Sequence, residues 1–324
     1  MIETCEALKK YDDYLGLTKI PEDFDEFWES RMAEADAVSL RYELLPCEIP
    51  DFHFCNARLL RFQGIAGSIV YAKVLIPQSE EKVPLVLQFH GYPGAARSWL
   101  EQCSYPGMGC AVIAMECPGQ GGPGKDAGGY VGPTVSGHII AGLDGEIKDM
   151  YYVRLYQTIR ILCRIVKKLP GIDLSRIFVS GGSQGGAQGV ACCALNTDLI
   201  NRAAILYPFL SDFRLIWELD ADMIAYEGLR YYSRWFDPDG SKLDEVFRRL
   251  SYIDTVSFAH LVKCPVLFGT GLADQVCPPQ SQCAVYNQLD CVKKRVLFPG
   301  KGHEEIQDFD DMLLDFFGRR EAEL

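Results

Sequence analysis

The chain of 324 residues is 48% hydrophobic and 23% charged, and carries a formal net charge of -12. This length buries a large core and suits one large α/β domain or two ordinary ones, while the acidic balance excludes nucleic acid and anionic membrane surfaces, which require clustered Lys and Arg, as main partners. Thirteen cysteines without a C-x-x-C pair suit reduced, buried thiols better than a disulfide framework or zinc site, and the acid-bearing start "MIETCEALKK" with no long apolar run sets the expectation of a cytoplasmic protein with no membrane contact.

The first forty residues read as a helical arm. "PEDFDEFWESRMAEA" places Pro21 and acids in a first turn and then Phe24, Phe27, Trp28 and Met32 on one face. "YELLPCEI", "FCNARLLRF" and "SIVYAKVLIP" follow as strands of an antiparallel start. From Pro84 the pattern changes to short apolar runs ending in loops: "PLVLQFHG", "CAVIAMECPGQGG", "RIFVSGG", "RAAILYP", "CPVLFGTG" and "RVLFPGKGH". Runs apolar on both faces predict a mostly parallel sheet covered by helices on either side.

Helical periodicity is clearest over Tyr152, Leu155, Tyr156, Ile159, Leu162 and Val166. It recurs in "QGGAQGVACCALN" and "HEEIQDFDDMLLDFFGRR". The aromatic and charged stretch from about 211 to 260, with Trp217, Tyr226, Tyr231, Tyr232, Trp235 and Phe236, interrupts the alternation and reads as a helical cap over the strand ends. Its aromatics are expected first of all to pack the cap onto the body. No internal repeat or low-complexity linker divides the chain, which is expected to form a single domain from 1 to 324.

"FVSGGSQGG" joins an apolar strand to a helix-compatible run, the arrangement of a nucleophile elbow around Ser183. G-x-S-x-G alone is only moderately specific, since a glycine-rich turn also follows many strands. A serine hydroxyl becomes a useful nucleophile when an imidazole takes its proton and a carboxylate holds that imidazole. Elbow enzymes supply acid and then histidine from loops after later strands, and here Asp274 follows "CPVLFGTGLA" and His303 follows "RVLFPGKG". Asp212, after "ILYPFLS", is the alternative acid.

The amide of Gln184, at the helix start, faces a developing oxyanion in this reading, and that of Tyr92, in "FHGYPG", supplies the second donor. The Tyr92 ring is a further candidate for lining the acyl pocket, and His90 reads as a structural residue of the loop. "GQGGPGK", Gly119 to Lys125, mimics a phosphate-cradling loop, but Asp126 stands where a hydroxyl is needed and "AGGYVGP" breaks the helix it requires.

Together "PEDFDEFWE", "HGY", "GQGG", "YYVRLYQTIR", "GGSQGG", "GLADQVCPP" and "GHE" resemble the acetyl xylan esterase and cephalosporin C deacetylase family, carbohydrate esterase family 7, of the α/β-hydrolase fold. The resemblance runs from the N-terminal arm to the last helix. It implies Ser183 as nucleophile, His303 as general base, Asp274 as its orienting acid, and Tyr92 and Gln184 as the oxyanion hole. It further implies no metal or other cofactor, a cytoplasmic homo-hexamer, and acetyl esters of short xylo-oligosaccharides or similar small alcohols as substrates. One departure is Pro118, where the family has an arginine before Gly-Gln-Gly, which makes Pro118 a candidate for altered substrate binding. The alternatives are another short-chain acyl esterase, a serine peptidase on the same fold, for which some eighty residues before the hydrolase strands leave no room for a propeller, and a hydrolase-like binding protein without chemistry.

Overall fold

β-branched and apolar runs form a nine-stranded sheet in the computed structural model, which describes residues 9 and 11–318 except 48, 50, 51, 134–136 and 222–224. The strands are β1 (Tyr42–Leu45), β2 (Cys55–Gln63), β3 (Ile69–Pro77), β4 (Val83–Phe89), β5 (Ala111–Met115), β6 (Ile172–Gly182), β7 (Arg202–Leu206), β8 (Val266–Gly271) and β9 (Lys293–Phe298). Their spatial order is β1-β2-β3-β5-β4-β6-β7-β8-β9. β1, β2, β3 and β5 pair antiparallel in succession, and every pair from β5 to β9 is parallel. This is the mostly parallel α/β-hydrolase sheet. β5 and β7 are buried at every position, as strands covered on both faces must be. β9 departs from that pattern: it is the sheet edge and stays half exposed along most of its length.

The helices are α1 (Phe24–Ala37), α2 (Trp99–Gln102), α3 (Ser104–Gly107), α4 (Tyr151–Val166), α5 (Gln184–Leu195), α6 (Phe213–Glu218), α7 (Glu227–Phe236), α8 (Leu243–Leu250), α9 (Thr255–Ala259), α10 (Pro279–Gln288) and α11 (Gln307–Gly318). Helices α4 and α5 cover one face of the sheet. α11 covers the other, where Phe309, Leu313, Phe316 and Phe317 pack on Val86, Phe178 and Leu267. Helix α4 buries all of its residues but Arg154, Arg160 and Arg164. Those three bond outward: Arg164 donates to the Ala35 and Val38 carbonyls, Arg160 pairs with Asp36, and Arg154 donates to the Gly128 carbonyl.

The opening stretch is helical over a shorter range than its composition suggests. Residues 11–23 run as turns and irregular chain, with Gly16 at φ 93°. The local reason is that backbone groups of Leu17 and Thr18 bond to the side chain of Asp212 rather than to a helix. Trp28 on α1 then anchors the arm, packing on Tyr156 and Phe258 while its indole donates to the Tyr252 carbonyl. Segment 211–260 contains α6 to α9, and Tyr226 packs there against Phe209 and Phe213. The loops after β4, β5, β6, β8 and β9 all leave the same, carboxyl, edge of the parallel strands, where open α/β sheets place their sites.

Candidate active site

Ser183 occupies the turn between β6 and α5 at φ 57° and ψ -123°. A non-glycine residue held there costs of order 1–3 kcal/mol, which the surrounding packing must offset. The packing is tight: a Cβ on Gly185 would lie 2.1 Å from the Phe89 carbonyl oxygen, and one on Gly181 would lie 2.3 Å from that of Gly185. Only glycines let the helix start approach the end of β4 so closely. The Ser183 carbonyl accepts from Ala187 and Phe209 amides, which fixes the turn from both sides.

Ser183 Oγ lies 2.9 Å from His303 Nε2, and His303 Nδ1 lies 2.9 Å from Asp274 Oδ2. The Asp274 carboxylate is fully enclosed. Its Oδ1 accepts from the amides of Val276 and Cys277, at 2.9 and 2.8 Å, and Oδ2 also accepts from Gln282 Nε2 at 3.3 Å. A carboxylate with this many donors is held in one orientation, and it selects the imidazole tautomer whose Nε2 can accept from serine. Tyr207 packs against the His303 ring, 4.7 Å between centroids, and donates its hydroxyl to the Glu304 carbonyl. The arrangement can therefore move a proton from a serine hydroxyl to an imidazole braced by a buried acid.

Asp212 is directed elsewhere. Its carboxylate accepts from Tyr14 Oη at 2.6 Å and from the amides of Leu17 and Thr18, so it fastens the N-terminal segment. Burial raises its pKa. Its neighbour Asp254 accepts from the amides of Asp212, Phe213 and Val256 and from Thr18 Oγ1. Burial, and then the charge of Asp212, push the Asp254 carboxyl up to about 7.

The loop carrying Tyr92 lies against the elbow, since a Cβ on Gly91 would be 3.8 Å from that of Ser183. His90 is buried, and burial lowers its pKa. The neutral ring bridges two loops: Nε2 accepts from the Cys117 amide at 3.0 Å, and Nδ1 donates to the Gly91 carbonyl at 2.7 Å. The Tyr92 ring packs on Phe209, and its hydroxyl meets His138 Nδ1 at 3.2 Å. Pro118 is buried, and its carbonyl accepts from Tyr151 Oη at 2.9 Å.

Sequence reasoning missed Gln120 and Tyr152, which bond directly to the Gln184 side chain. Such pairings join residues 64 and 32 positions apart, with no periodic signal. The one cue was the polar glutamine inside "GQGG". The rest of that loop is closed to phosphate: Lys125 pairs its backbone with Ile69, and Asp126 accepts from the Gly128 amide and Tyr130 hydroxyl.

Among the described residues, Asp274, Cys277 and His303 are grouped closely enough to hold a metal. However, the acid and the imidazole are committed to the bonds above, and burial drives the Cys277 thiol pKa far up. A cation there would have to dismantle the serine-histidine-aspartate line. Among the described residues no helix is long and apolar enough to cross a membrane.

The acetyl xylan esterase (AXE1) family model matches residues 3–319. The acetyl esterase Axe7A of Xylanibacter ruminicola is 27% identical over 310 residues, covering 92% of this chain and 65% of that protein. The chain thus spans about two thirds of the length of that relative. Acetyl xylan esterase 1 from Thermoanaerobacterium sp. JW/SL YS485 superposes with a TM-score of 0.93 at 37% identity, over 96% of this chain and 98% of the other. An acetyl xylan esterase from Paenibacillus sp. R4 gives 0.91 at 28% identity, over 96% and 98%.

Proposed function

The chain belongs to the acetyl xylan esterase family, and we propose that it works as a serine carboxylic-ester hydrolase that removes acetyl groups from small acetylated carbohydrates such as xylo-oligosaccharides. The observation that carries this reading is the unbroken hydrogen-bonded line from Ser183 through His303 to a buried, four-times-bonded Asp274.

Ser183 Oγ attacks the ester carbonyl as its proton passes to His303 Nε2. The imidazolium so formed is stabilised and held by Asp274. Negative charge develops on the former carbonyl oxygen. The amide of Gln184, the first of α5 and unpaired by helix geometry, and that of Tyr92 stabilise it. His303 then gives its proton to the leaving sugar oxygen, which departs as the alcohol and leaves acetyl-Ser183. Water enters and attacks the acyl carbon as His303 takes its proton; the bond to Ser183 Oγ breaks, His303 returns that proton to Oγ, and acetate leaves.

Pro118 contributes to substrate binding by stiffening the loop behind Gln120, in place of a charged side chain. Cephalosporin-type acetates present the same small acyl group and serve as surrogate substrates. Family membership supports a homo-hexamer, which light scattering would test. The twelve described cysteines are free thiols, which supports a reducing, cytoplasmic setting.

A chain-length series of p-nitrophenyl esters beside acetylated xylo-oligosaccharides tests the substrate class. Fastest release from acetate, falling beyond butyrate, is expected. Preference for octanoate or longer would overturn the deacetylase reading.

A further inference from the structure

The loop after β5 touches both halves of the proposed oxyanion hole. Its Cys117 amide holds the His90 ring, which in turn holds the Gly91 carbonyl beside the Tyr92 amide. Three residues on, Gln120 forms a reciprocal amide pair with Gln184: Gln120 Nε2 donates to Gln184 Oε1 at 2.7 Å, and Gln184 Nε2 donates back to Gln120 Oε1 at 2.9 Å. Tyr152 Oη adds a second donor to Gln184 Oε1 at 2.7 Å. Tyr151 Oη lies 3.2 Å from Gln120 Nε2 and donates to the Pro118 carbonyl, tying the loop to α4.

We infer that Gln120 is a positioning residue that sets the separation of the two oxyanion-binding amides by fixing Gln184 to the loop that also anchors His90. The inference rests on the assignment of those amides made above. Gln184 is fully buried, and an apolar side chain would fill the same space. A double amide pair instead uses donors and acceptors on each other in one plane, so it fixes direction as well as distance. Gln120 itself is only half-buried. Removing it admits water to satisfy Gln184, so the fold loses little while the placement of the first turn of α5 is released. Placement matters because donors must meet the oxyanion at hydrogen-bond distance, and an error near 1 Å costs about a hundredfold in rate.

The test compares wild type, Gln120→Ala, Gln120→Glu and Ser183→Ala. It uses p-nitrophenyl acetate turnover, thermal melting, and inhibition by a small aryl trifluoromethyl ketone, which forms a tetrahedral oxyanion on the serine. For Gln120→Ala the expected result is a kcat about tenfold to a hundredfold lower, KM within about twofold, and a ketone Ki raised by the same factor as kcat falls. Gln120→Glu, near-isosteric and so a check against misfolding, keeps one bond to Gln184 Nε2 but sets a negative oxygen against Gln184 Oε1. It should show the same coupled change.

A fall in kcat with an unchanged Ki reports only fewer active molecules and overturns the positioning role. So does wild-type turnover in both Gln120 variants. If Ser183→Ala is inert while the Gln120 variants are unaffected, this inference alone fails. If Ser183→Ala keeps its activity, the functional reading beneath it fails first.

Discussion

Replacing Asp274 by Asn keeps the shape of the side chain and reverses one of its two polar ends. Oδ1 accepts from two backbone amides that cannot turn away, those of Val276 and Cys277. The amide oxygen of Asn must therefore stay with them, which directs the NH2 group at His303 Nδ1 and at Gln282 Nε2, both of which met an acceptor before. The imidazole answers by moving its proton to Nε2. That nitrogen, 2.9 Å from Ser183 Oγ, then donates where it must accept. Loss of the base function by this route costs about 10³–10⁴ in kcat, or roughly 4–5.5 kcal/mol, with KM little changed. The opposed Gln282 and Asn amides add about 1–2 kcal/mol of lost stability. Initial rates on p-nitrophenyl acetate with a parallel urea melt separate the two effects. A folded Asp274→Asn enzyme less than tenfold impaired would refute the assignment of the acid.

Asp212→Asn is the matching control: turnover within about threefold of wild type, but stability lower by about 2 kcal/mol, because Tyr14, Leu17 and Thr18 lose a charged acceptor. An inactive but folded Asp212→Asn would reverse the roles of the two acids. Gly185→Ala should destabilise by about 3 kcal/mol, since its methyl would sit 2.1 Å from a backbone oxygen of Phe89 that cannot rotate away; an unchanged denaturation midpoint would contradict the packing described. Asp254, pushed up to about 7 by burial, keeps its proton in the folded chain at pH values where the unfolded chain has released it. The stability it contributes is therefore lost as pH rises from the unfolded carboxylate value near 4 up through 7, and about 1 kcal/mol of that loss falls above roughly pH 6.5. His90 and His138, whose pKa values are lowered by burial, act in the opposite sense and mainly below about pH 6.5. Buried cysteines, whose pKa values burial also raises, add their own fall towards pH 8.5; denaturant titrations should therefore slope downward more steeply in wild type than in Asp254→Asn between roughly pH 6.5 and 7.5, and the same slope in both would exclude Asp254 as its source.

Local pattern carried much of the fold. Strands such as "CAVIAM" and "RAAILY" are apolar at every position because helices cover both faces. The elbow stands out because backbone contacts allow only glycine at 181 and 185, on either side of Ser183. Strand order was not legible, since nothing in β5 records that it lies between β3 and β4. The N-terminal segment misled for a related reason: its composition favours helix, but Asp212, some 195 residues away, takes its backbone donors. The same holds at the site. Ser183, Asp274 and His303 each end a strand in a recognisable loop, whereas Gln120 and Tyr152 act through partners that only tertiary folding supplies.

The central claim is that Ser183 carries the acyl group. The direct measurement is labelling of the intact protein with a fluorophosphonate, located by peptide mass analysis, beside acetate release by wild type and Ser183→Ala. One label per chain is expected, on Ser183, with acetate release reduced by at least about 10⁴-fold in the variant. Label on another residue, or acetate released at the wild-type rate by Ser183→Ala, would contradict it.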